Sequence, residues 1–366
     1  MSKKMYWVFS GFLTFITLTL AAHTSLACTD FQIKSKDGAI IIGRSMEFAM
    51  KVGSQIVIHP RGERLSSQTP EGKKGLSWKS KYGFVSVNAF GIEDATVDGI
   101  NEAGLSVEFL WLPGAEYQKI PRDKDSKAIT IGDLGNWILG NFTTVNEVKR
   151  AIEKVYVCGM EIPQMNMVAP LHLAVHDAKG RNIVIEFVGG ERKVYDNPIG
   201  VMTNAPTFDW HLTNLRNYVN ITTYNVDPVT IEGVTLTSTG QGSGLLGIPG
   251  DWTPPSRFIR AVAFVHFADP VKNAAEGVNL AEHILNTVDI PAGVIKGKKL
   301  EFVKEEYTQW VVIKDLTNKV LYFRSYENLS LRSVNLKKLN FAPGAKSQPI
   351  PVSGGRNIID VTDMLQ

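Results

Sequence analysis

The strongest constraint on the fold of this chain is a series of strand-like segments that come in pairs. Residues 28–34 (CTDFQIK) and 39–44 (AIIIGR) flank a Lys-Asp-Gly turn, which is the pattern of a β-hairpin. Further segments rich in Val, Ile, Phe and Tyr are residues 82–88, 105–110, 171–176, 182–188, 307–314 and 320–325. Short turns at residues 177–181 and 315–319 join the last four into two more pairs. We therefore predict antiparallel sheets.

Helix-like segments lie in separate blocks between the strand pairs. Apolar residues recur every three to four positions in residues 130–140, 145–156, 255–267 and 280–288. Such blocks, without strict βαβ alternation, predict an α+β fold whose sheets are covered by helices. Residues 61–74 and 237–253 have the composition of loops. The second loop carries five glycines, and a long glycine-rich loop in a compact domain commonly borders a functional site.

Composition excludes several classes of protein. Lys and Arg number 39 against 36 Asp and Glu, and no block of five or six like charges occurs, so no nucleic-acid partner is predicted. The chain has two cysteines, Cys28 and Cys158, which excludes a multi-disulfide scaffold and a cysteine-rich zinc protein. A hydrophobic content of 44% is that of a globular chain with a buried core.

The N-terminus has the features of a secretory signal peptide. Lys3 and Lys4 precede an acid-free apolar run over residues 5–22, and Ser25 and Ala27 supply small residues before a cut. We predict that residues 1–27 are removed, that the net charge falls from +3 to +1, and that residues 28–366 form one exported domain, periplasmic or secreted, without stable membrane insertion. Two alternatives remain open here, a retained membrane anchor and a lipoprotein whose cysteine is lipidated.

Removal of this leader has a chemical consequence, because it leaves Cys28 as the first residue. A thiol is a poor nucleophile until a base takes its proton, and a free α-amine has a pKa of about 7.7–8.0. An N-terminal cysteine therefore carries its own base. The alternatives are a disulfide to Cys158 or a coincidence of position.

Five segments in the same order resemble one family of enzymes. They are residues 28–48 (CTDFQIKSKDGAIIIGRSMEF), 101–105 (NEAGL), 202–208 (MTNAPTF), the glycine-rich run up to 249–251 (PGD), and 256–258 (SRF). On these segments the chain resembles the choloylglycine hydrolase family, which includes bile-salt hydrolases and penicillin V acylases. The resemblance covers nearly the whole predicted mature chain, from Cys28 to about Phe323. It implies a four-layer αββα N-terminal-nucleophile fold with two stacked antiparallel sheets, and a cysteine amidase that cleaves linear amides.

The resemblance also implies roles for individual residues. Cys28 matches the nucleophile, whose own α-amine is the general base. Arg44 matches the arginine beside the thiol, where a fixed positive charge favours the thiolate. Glu47 stands where the family more often has Asp, a carboxylate that hydrogen-bonds to the terminal amine. Asn204 matches the side-chain donor to the tetrahedral oxyanion, and Arg257 matches the arginine near the reaction centre.

Two aromatic residues are expected to shape the substrate pocket. Trp111 lies where the family carries Asn or Tyr, a position whose backbone N–H completes the oxyanion hole, so its indole would form a wall of the pocket. Phe48, beside Glu47, would be a second aromatic contact to substrate. Core packing is the alternative for both residues. Trp111 and the export signal resemble the Gram-negative, penicillin V acylase-like branch of the family.

The resemblance implies a small N-acyl amide substrate and a reaction that requires no metal or organic cofactor. Penicillin V, N-acyl homoserine lactones and conjugated bile salts are the candidates, in that order, and a homotetramer is the expected assembly. His172 and His176 share one face of a strand candidate without a convincing third metal ligand, so we predict exposed or hydrogen-bonded histidines. Two alternatives belong to other classes: an inactive exported binding protein, and a membrane-anchored structural protein with a Cys28–Cys158 disulfide.

Overall fold

The computed structural model of the protein describes residues 27–163, 165–296 and 305–365. Apart from Ala27, the signal peptide and its membrane-anchor alternative lie outside the described residues. No helix in the described part of the chain is long and apolar enough to cross a membrane.

Two large sheets and five α-helices make up most of the described chain. The strands of the large sheets are β1 (Cys28–Lys34), β2 (Ile40–Phe48), β3 (Gln55–His59), β4 (Phe84–Ala89), β5 (Ile92–Asn101), β6 (Leu105–Trp111), β7 (Leu171–Asp177), β8 (Asn182–Val188), β9 (Glu191–Asp196), β10 (Val201–Met202), β11 (Tyr307–Asp315), β12 (Val320–Ser325), β13 (Arg332–Asn335) and β14 (Ile350–Pro351). The helices are α1 (Ile131–Asn141), α2 (Val145–Ile152), α3 (Phe208–Leu215), α4 (Pro254–Phe267) and α5 (Ala274–Asn286). Short two-stranded pairs join Arg64–Gln68 to Lys74–Lys79, Ala128–Thr130 to Tyr156–Cys158, Glu161–Ile162 to Met167–Val168, and Val229–Ile231 to Val234–Leu236.

Both large sheets are antiparallel. The six-stranded sheet has the order β10-β1-β2-β11-β12-β13, and the eight-stranded sheet has the order β9-β8-β7-β6-β5-β4-β3-β14. In the β1–β2 hairpin, Cys28 lies opposite Met46 and Asp30 lies opposite Arg44. Because side chains directly opposite each other share a face, these four residues point to the same side of the sheet. That side faces the eight-stranded sheet, since Arg44 reaches the carbonyl of Phe109 on β6.

The two sheets stack face to face, and helices cover their outer faces. Helices α1 and α2 pack on the eight-stranded sheet through a core that includes Leu134 and Val148. Helices α4 and α5 pack on the six-stranded sheet, with Phe258 and Ala281 in the core that continues between the sheets. Burial of apolar surface at about 25 cal/mol per Å² holds these layers together. The order of layers is helix, sheet, sheet, helix, and the α+β prediction is confirmed.

Helix α2 is shorter than the sequence pattern predicts. It begins at a capping box formed by Thr144 and Glu147, but it ends at Ile152 rather than at residue 156. Tyr156–Cys158 instead forms a strand parallel to Ala128–Thr130. The pairing of backbone groups at the edge of a small sheet therefore overrides the helical spacing of residues 153–156.

Other boundaries differ for equally local reasons. Helix α5 begins six residues before the predicted residue 280, because the Asn273 side chain caps it by accepting from Glu276 N. The predicted loop over residues 61–74 contains the strand Arg64–Gln68. Strand β5 escaped the sequence analysis, because its letters (IEDATVDGIN) include three acids that obscure apolar alternation.

Candidate active site

Cys28 lies at the first residue of β1, between the two sheets, and is 2% exposed. Here its nitrogen belongs to the Ala27–Cys28 peptide bond and stands in for the α-amine that cleavage would create. The Cys28 N–H donates to Asn204 Oδ1 at 2.5 Å. The predicted nucleophile and the predicted oxyanion donor are therefore in direct contact.

Arg44 supplies the positive charge nearest to the thiol. Its Nη2 lies 3.9 Å from Cys28 Sγ and donates to the carbonyl of Phe109 at 2.7 Å. The guanidinium also lies 4.6 Å from the ring centre of Trp310, in a cation–π contact. Burial raises the pKa of the Cys28 thiol, and the charge of Arg44 opposes this rise. The buried thiol thus requires a base before it becomes a nucleophile.

Arg257, in the first turn of α4, connects three parts of the site. Its Nη1 donates to the Cys28 carbonyl and to Thr29 Oγ1 at 2.6 Å, and its Nη2 donates to Asn204 Oδ1 at 2.9 Å. Its Nε donates to the carbonyl of Trp252 at 3.0 Å, where the glycine-rich loop ends. The side chain is fully buried. The loop therefore borders the site, as predicted, and Arg257 links it to Cys28.

Asn204 is held from two further directions. Its Nδ2 donates to the carbonyl of Trp111 at 2.8 Å, and its own carbonyl lies 2.8 Å from His211 Nε2. Burial lowers the pKa of His211 to about 4, so the ring is neutral and donates through Nε2. The His211 ring stacks on Phe258 at 4.8 Å. The contact with Trp111 involves its carbonyl, and the oxyanion role of its N–H stays a prediction.

Glu47 is buried near Cys28, but its carboxylate has a different partner from the predicted one. Its Oε1 accepts from Thr308 Oγ1 at 2.8 Å, while its backbone N–H donates to the Ala27 carbonyl at 3.1 Å. Burial raises the pKa of Glu47 to about 7, although Arg257 and Thr308 oppose the rise. In this chain the Cys28 nitrogen donates to Asn204, so the predicted contact between Glu47 and a terminal amine is not formed.

Glu306 was missed by the sequence analysis, because it belongs to none of the recognised segments. It lies immediately before β11 and is 6% exposed. Its Oε1 accepts a hydrogen bond from Ala27 N. Burial raises the pKa of Glu306 to about 7, with the Ala27 N–H and the charge of Arg257 opposing. Two carboxyl groups, Glu47 and Glu306, therefore flank the start of the predicted mature chain.

An apolar pocket of about 350 Å³ opens on the other side of Cys28. Phe48 and Trp111 both line it, as predicted for substrate contacts, and their rings meet edge to face at 5.7 Å. Phe90, which the sequence analysis missed, extends this wall and lies 6.2 Å from Phe48. The volume lies within the range of small-molecule sites, and the aromatic lining suits an apolar group.

The second cysteine is remote from the reaction centre. Cys158 is a free, buried thiol that donates to the carbonyl of Ile129 at 3.4 Å, and Cys28 is also free. The alternative of a Cys28–Cys158 disulfide is therefore wrong. Burial raises the pKa of Cys158 to about 11, which makes it a poor nucleophile.

The two histidines of β7 are both buried and hydrogen-bonded. His172 Nδ1 lies 3.1 Å from Glu186 Oε1, and His176 Nε2 lies 2.9 Å from Asp30 Oδ2. The prediction of exposed or hydrogen-bonded histidines is confirmed by its second option, since both side chains are buried. Strand β7 lies inside the eight-stranded sheet, between β6 and β8, where its edges are covered.

Comparison with known proteins agrees with this geometry. The sequence profile of linear amide C–N hydrolases, choloylglycine hydrolase family, matches residues 28–359. Bile salt hydrolase/transferase from Clostridium perfringens is 34% identical over 318 residues, which cover 86% of this chain and 93% of that protein. A crystal structure of a conjugated bile acid hydrolase variant from Clostridium perfringens has a TM-score of 0.80 at 29% identity, covering 92% of this chain and 100% of that one. Penicillin V acylase from Agrobacterium tumefaciens has a TM-score of 0.70 at 25% identity, covering 87% and 89%.

The stacked sheets and the buried polar cluster are those of an N-terminal-nucleophile hydrolase. The chain belongs to the choloylglycine hydrolase family and is a hydrolase of carbon–nitrogen bonds in linear amides. The family resemblance and the reaction class predicted from sequence are therefore confirmed. The relatives carry the names of both bile salt hydrolases and penicillin V acylase, so the comparisons leave the acyl group of the substrate undecided.

Proposed function

We propose that the mature enzyme begins at Cys28, in an exported protein, and cleaves an N-acyl amide in the manner of penicillin V acylase. The observation that carries this proposal is the contact of Cys28 N with Asn204 Oδ1 at 2.5 Å. This contact lies inside a buried cluster that also holds Arg257, and beside an apolar pocket. Polar groups suited to amide chemistry and space for an acyl group thus meet at one thiol.

The first step is a proton transfer within one residue. The α-amine of Cys28 takes the proton from Sγ, because burial disfavours the spontaneous thiolate. Arg44, at 3.9 Å from Sγ, stabilises the thiolate that results. In the mature enzyme the α-ammonium donates to Asn204 Oδ1, and the buried carboxyl groups of Glu47 and Glu306 near the start of the chain offset its charge.

Acylation and deacylation follow with the same groups. The thiolate attacks the amide carbon, a C–S bond forms, and the carbonyl electrons move to oxygen. The second N–H of the Asn204 amide and the Trp111 backbone N–H hold this oxyanion, and each such donor contributes about 3–4 kcal/mol to transition-state stabilisation. The α-ammonium protonates the leaving amine as the C–N bond breaks. Water then attacks the thioester with the amine as base, and Cys28 leaves as the thiol.

The pocket determines the acyl group. Phe48, Phe90 and Trp111 present ring edges and faces to the pocket, which suits phenoxyacetyl and linear fatty acyl groups. Penicillin V and N-acyl homoserine lactones are therefore the preferred substrates. Conjugated bile salts are the second candidate, favoured by the 34% identity to bile salt hydrolase/transferase from Clostridium perfringens.

The test of the nucleophile combines mass spectrometry with two cysteine variants. The purified exported protein should have Cys28 as a free first residue, and Cys28→Ser should remain folded while losing at least about 10³-fold in kcat. Cys158→Ser is the matched control and should keep full activity, since its thiol does not line the pocket and donates to the Ile129 carbonyl. A mature chain that starts elsewhere, a lipidated Cys28, or an active Cys28→Ser protein would contradict the mechanism.

The test of the substrate is a comparison of kcat/KM for penicillin V, a series of N-acyl homoserine lactones and a glycine-conjugated bile acid. Each methylene that enters the pocket should raise kcat/KM by up to about fourfold, the equivalent of ~0.8 kcal/mol. The rise should stop where the acyl chain reaches the end of the pocket. A kcat/KM for the bile acid above those of the other two substrates would reverse the proposed order.

We also propose that the enzyme is a homo-oligomer. The hairpin of Val229–Ile231 and Val234–Leu236 is exposed and carries apolar side chains, including Ile231 at 56% exposure. Exposed apolar surface of this kind is typical of contacts between chains. Size-exclusion chromatography with light scattering should give a mass above that of one chain, and Ile231→Asp should lower it. A monomeric wild-type protein would exclude this assembly.

A further inference from the structure

A second buried feature lies between the sheets and ends at Cys28. It consists of six charged side chains, each fully buried, and we refer to it as the inter-sheet charge chain: Arg44, Asp98, Lys314, Glu108, His176 and Asp30. Three residues come from the six-stranded sheet and three from the eight-stranded sheet. Three are acids and three are bases, so the charges balance when the histidine is protonated.

In the middle of the inter-sheet charge chain, one lysine ammonium group contacts two carboxylates. Lys314 Nζ donates to Asp98 Oδ1 at 2.7 Å and also to Glu108 Oε1. The other oxygen of Asp98 lies 3.8 Å from Arg44 Nη1. Asp98 is thus placed between two cations, one of which is the arginine that contacts the thiol.

At the end of the inter-sheet charge chain that is farther from Cys28, one histidine ring contacts two carboxylates. His176 Nε2 lies 2.9 Å from Asp30 Oδ2 and 3.5 Å from Glu108 Oε2, while its Nδ1 lies 3.3 Å from Gln32 Oε1. Burial favours the neutral ring, but the two carboxylates outweigh it and raise the pKa of His176. Protonation of His176 would complete the balance of charges.

A metal ion does not account for this cluster. Ligand atoms of Asp30, Glu108 and His176 lie within 4.8 Å of one another. However, Lys314 already neutralises Glu108 through its other oxygen, and a divalent ion would add two positive charges to a balanced set. Stability does not account for it either, because replacing buried ion networks with apolar residues is often neutral or stabilising.

Arg44 shows what the inter-sheet charge chain does, because among the described residues its guanidinium has one hydrogen bond to an oxygen atom. Its guanidinium is completely buried and donates one short hydrogen bond, to the carbonyl of Phe109. Its Nη1 makes no hydrogen bond to the described residues, and its ion pair with Asp98 is 3.8 Å long. An Asp98 released from Lys314 would move toward Arg44 and draw the guanidinium away from Sγ.

We propose that Asp98 and Lys314 are positioning residues for Arg44, with Glu108 and His176 holding Lys314 in place. Lys314 restrains Asp98, so Asp98 balances the charge of Arg44 without displacing it from the thiol. This inference rests on the proposed role of Cys28 as nucleophile. Neither Asp98 nor Lys314 lines the acyl pocket, so the effect reaches substrate only through Arg44 and the thiolate.

The test measures the thiol directly. In a Cys158→Ala background, the rate of iodoacetamide alkylation is followed against pH and mapped to Cys28 by peptide mass spectrometry. Lys314→Met should raise the alkylation pKa by about half a unit or more, and lower kcat/KM roughly tenfold with KM changed less than about twofold. Asp98→Asn should lower the alkylation pKa, because it leaves the charge of Arg44 uncompensated beside the thiol.

Opposite shifts from these two variants are the signature of the charge chain, since a merely structural defect would not move the thiol pKa in two directions. His176→Gln keeps a hydrogen-bond donor for Asp30 and should shift the pKa in the direction of Lys314→Met, but by less. If Lys314→Met does not fold, His176→Gln and Asp98→Asn decide the matter by the sign of their shifts. Folded variants with the wild-type alkylation pKa would overturn the proposal. An active Cys28→Ser enzyme would instead overturn the proposed nucleophile.

Discussion

The two sides of Cys28 are built on different physical principles. On the polar side, Arg257 joins the Cys28 carbonyl, Thr29 and Asn204 through hydrogen bonds of fixed direction. On the apolar side, Phe48 and Trp111 make edge-to-face ring contacts around an open pocket. Hydrogen bonds to buried charges fail when one atom is lost, whereas apolar contacts change gradually with area. The polar side therefore fixes the reaction, and the apolar side selects among substrates.

The largest expected effect lies on the polar side, at Arg257. Arg257→Met removes the donor to the Cys28 carbonyl and one of the two donors to Asn204 Oδ1, which keeps only the bond from Cys28 N, and each buried oxygen deprived of a donor costs about 1–3 kcal/mol. We expect kcat to fall roughly 10³-fold while the acyl pocket, and hence the preference among substrates, is unchanged. Steady-state kinetics on two acyl substrates measures both quantities.

Arg260 provides a matched control on the same helix. It is 5% exposed and donates to the carbonyls of Pro249 and Asp251, away from Cys28. Arg260→Met should lower the unfolding midpoint and keep kcat within about tenfold of wild type. If the two variants lose activity equally, the contacts of Arg257 with Cys28 and Asn204 have no special part in catalysis.

The contrast between directional polar contacts and apolar contacts also explains which features could be predicted from the sequence. Directional contacts demand particular residue types at particular positions, so Cys28, Arg44, Asn204 and Arg257 lie in recognisable short segments. The structure brings these four residues together. The antiparallel strand pairs were also predictable, because hairpins have a short-range pattern, whereas the stacking of two sheets was implied by the family resemblance.

The remaining features come from distant parts of the chain and carry no local signal. Glu306 contacts Ala27 across 279 positions of sequence, and Lys314 reaches Asp98 across 216. In the sequence, a single acidic or basic residue inside a strand predicts a solvent-facing position, and only the stacking of the two sheets shows that it is buried. Phe90 was missed for a similar reason, since an aromatic residue at a turn shows no sign that it faces a pocket.

A second prediction concerns pH and the support of Asn204. Burial lowers the pKa of His211 to about 4, below the value of about 6.5 in an unfolded chain, so the folded protein binds fewer protons between these values. This contribution to stability is present above pH 6.5 and is lost as pH falls toward 4. Between pH 7.5 and 5 the loss is about 2 kcal/mol. Glu47 and Glu306, whose pKa values burial raises to about 7, change the stability in the opposite direction over this range. The contribution of His211 is therefore measured as the difference between the wild type and His211→Gln in urea unfolding at both pH values.

His59 is the matched control for His211. Burial also lowers its pKa to about 4, and it stacks on Phe84 while contacting Ser86 Oγ at 2.9 Å, away from the site. His59→Gln should reduce the acid sensitivity equally and leave kcat unchanged, whereas His211→Gln should also lower kcat several-fold because it loosens Asn204. Equal kcat values in the two variants would show that the His211 contact serves stability alone.

The smallest effect is expected on the apolar side, at Trp111. Trp111→Leu keeps the backbone groups and removes part of the aromatic wall, so kcat/KM for an aromatic acyl group should fall about fivefold, the equivalent of ~1 kcal/mol. Hydrolysis of a short acyl amide that does not reach the ring should be unchanged. Trp137→Leu is the control, because Trp137 lies in the separate core under α1 and should affect stability without specificity. A loss of kcat common to all substrates would mean that Trp111 acts on the reaction itself, and the division between the two sides of Cys28 would no longer hold.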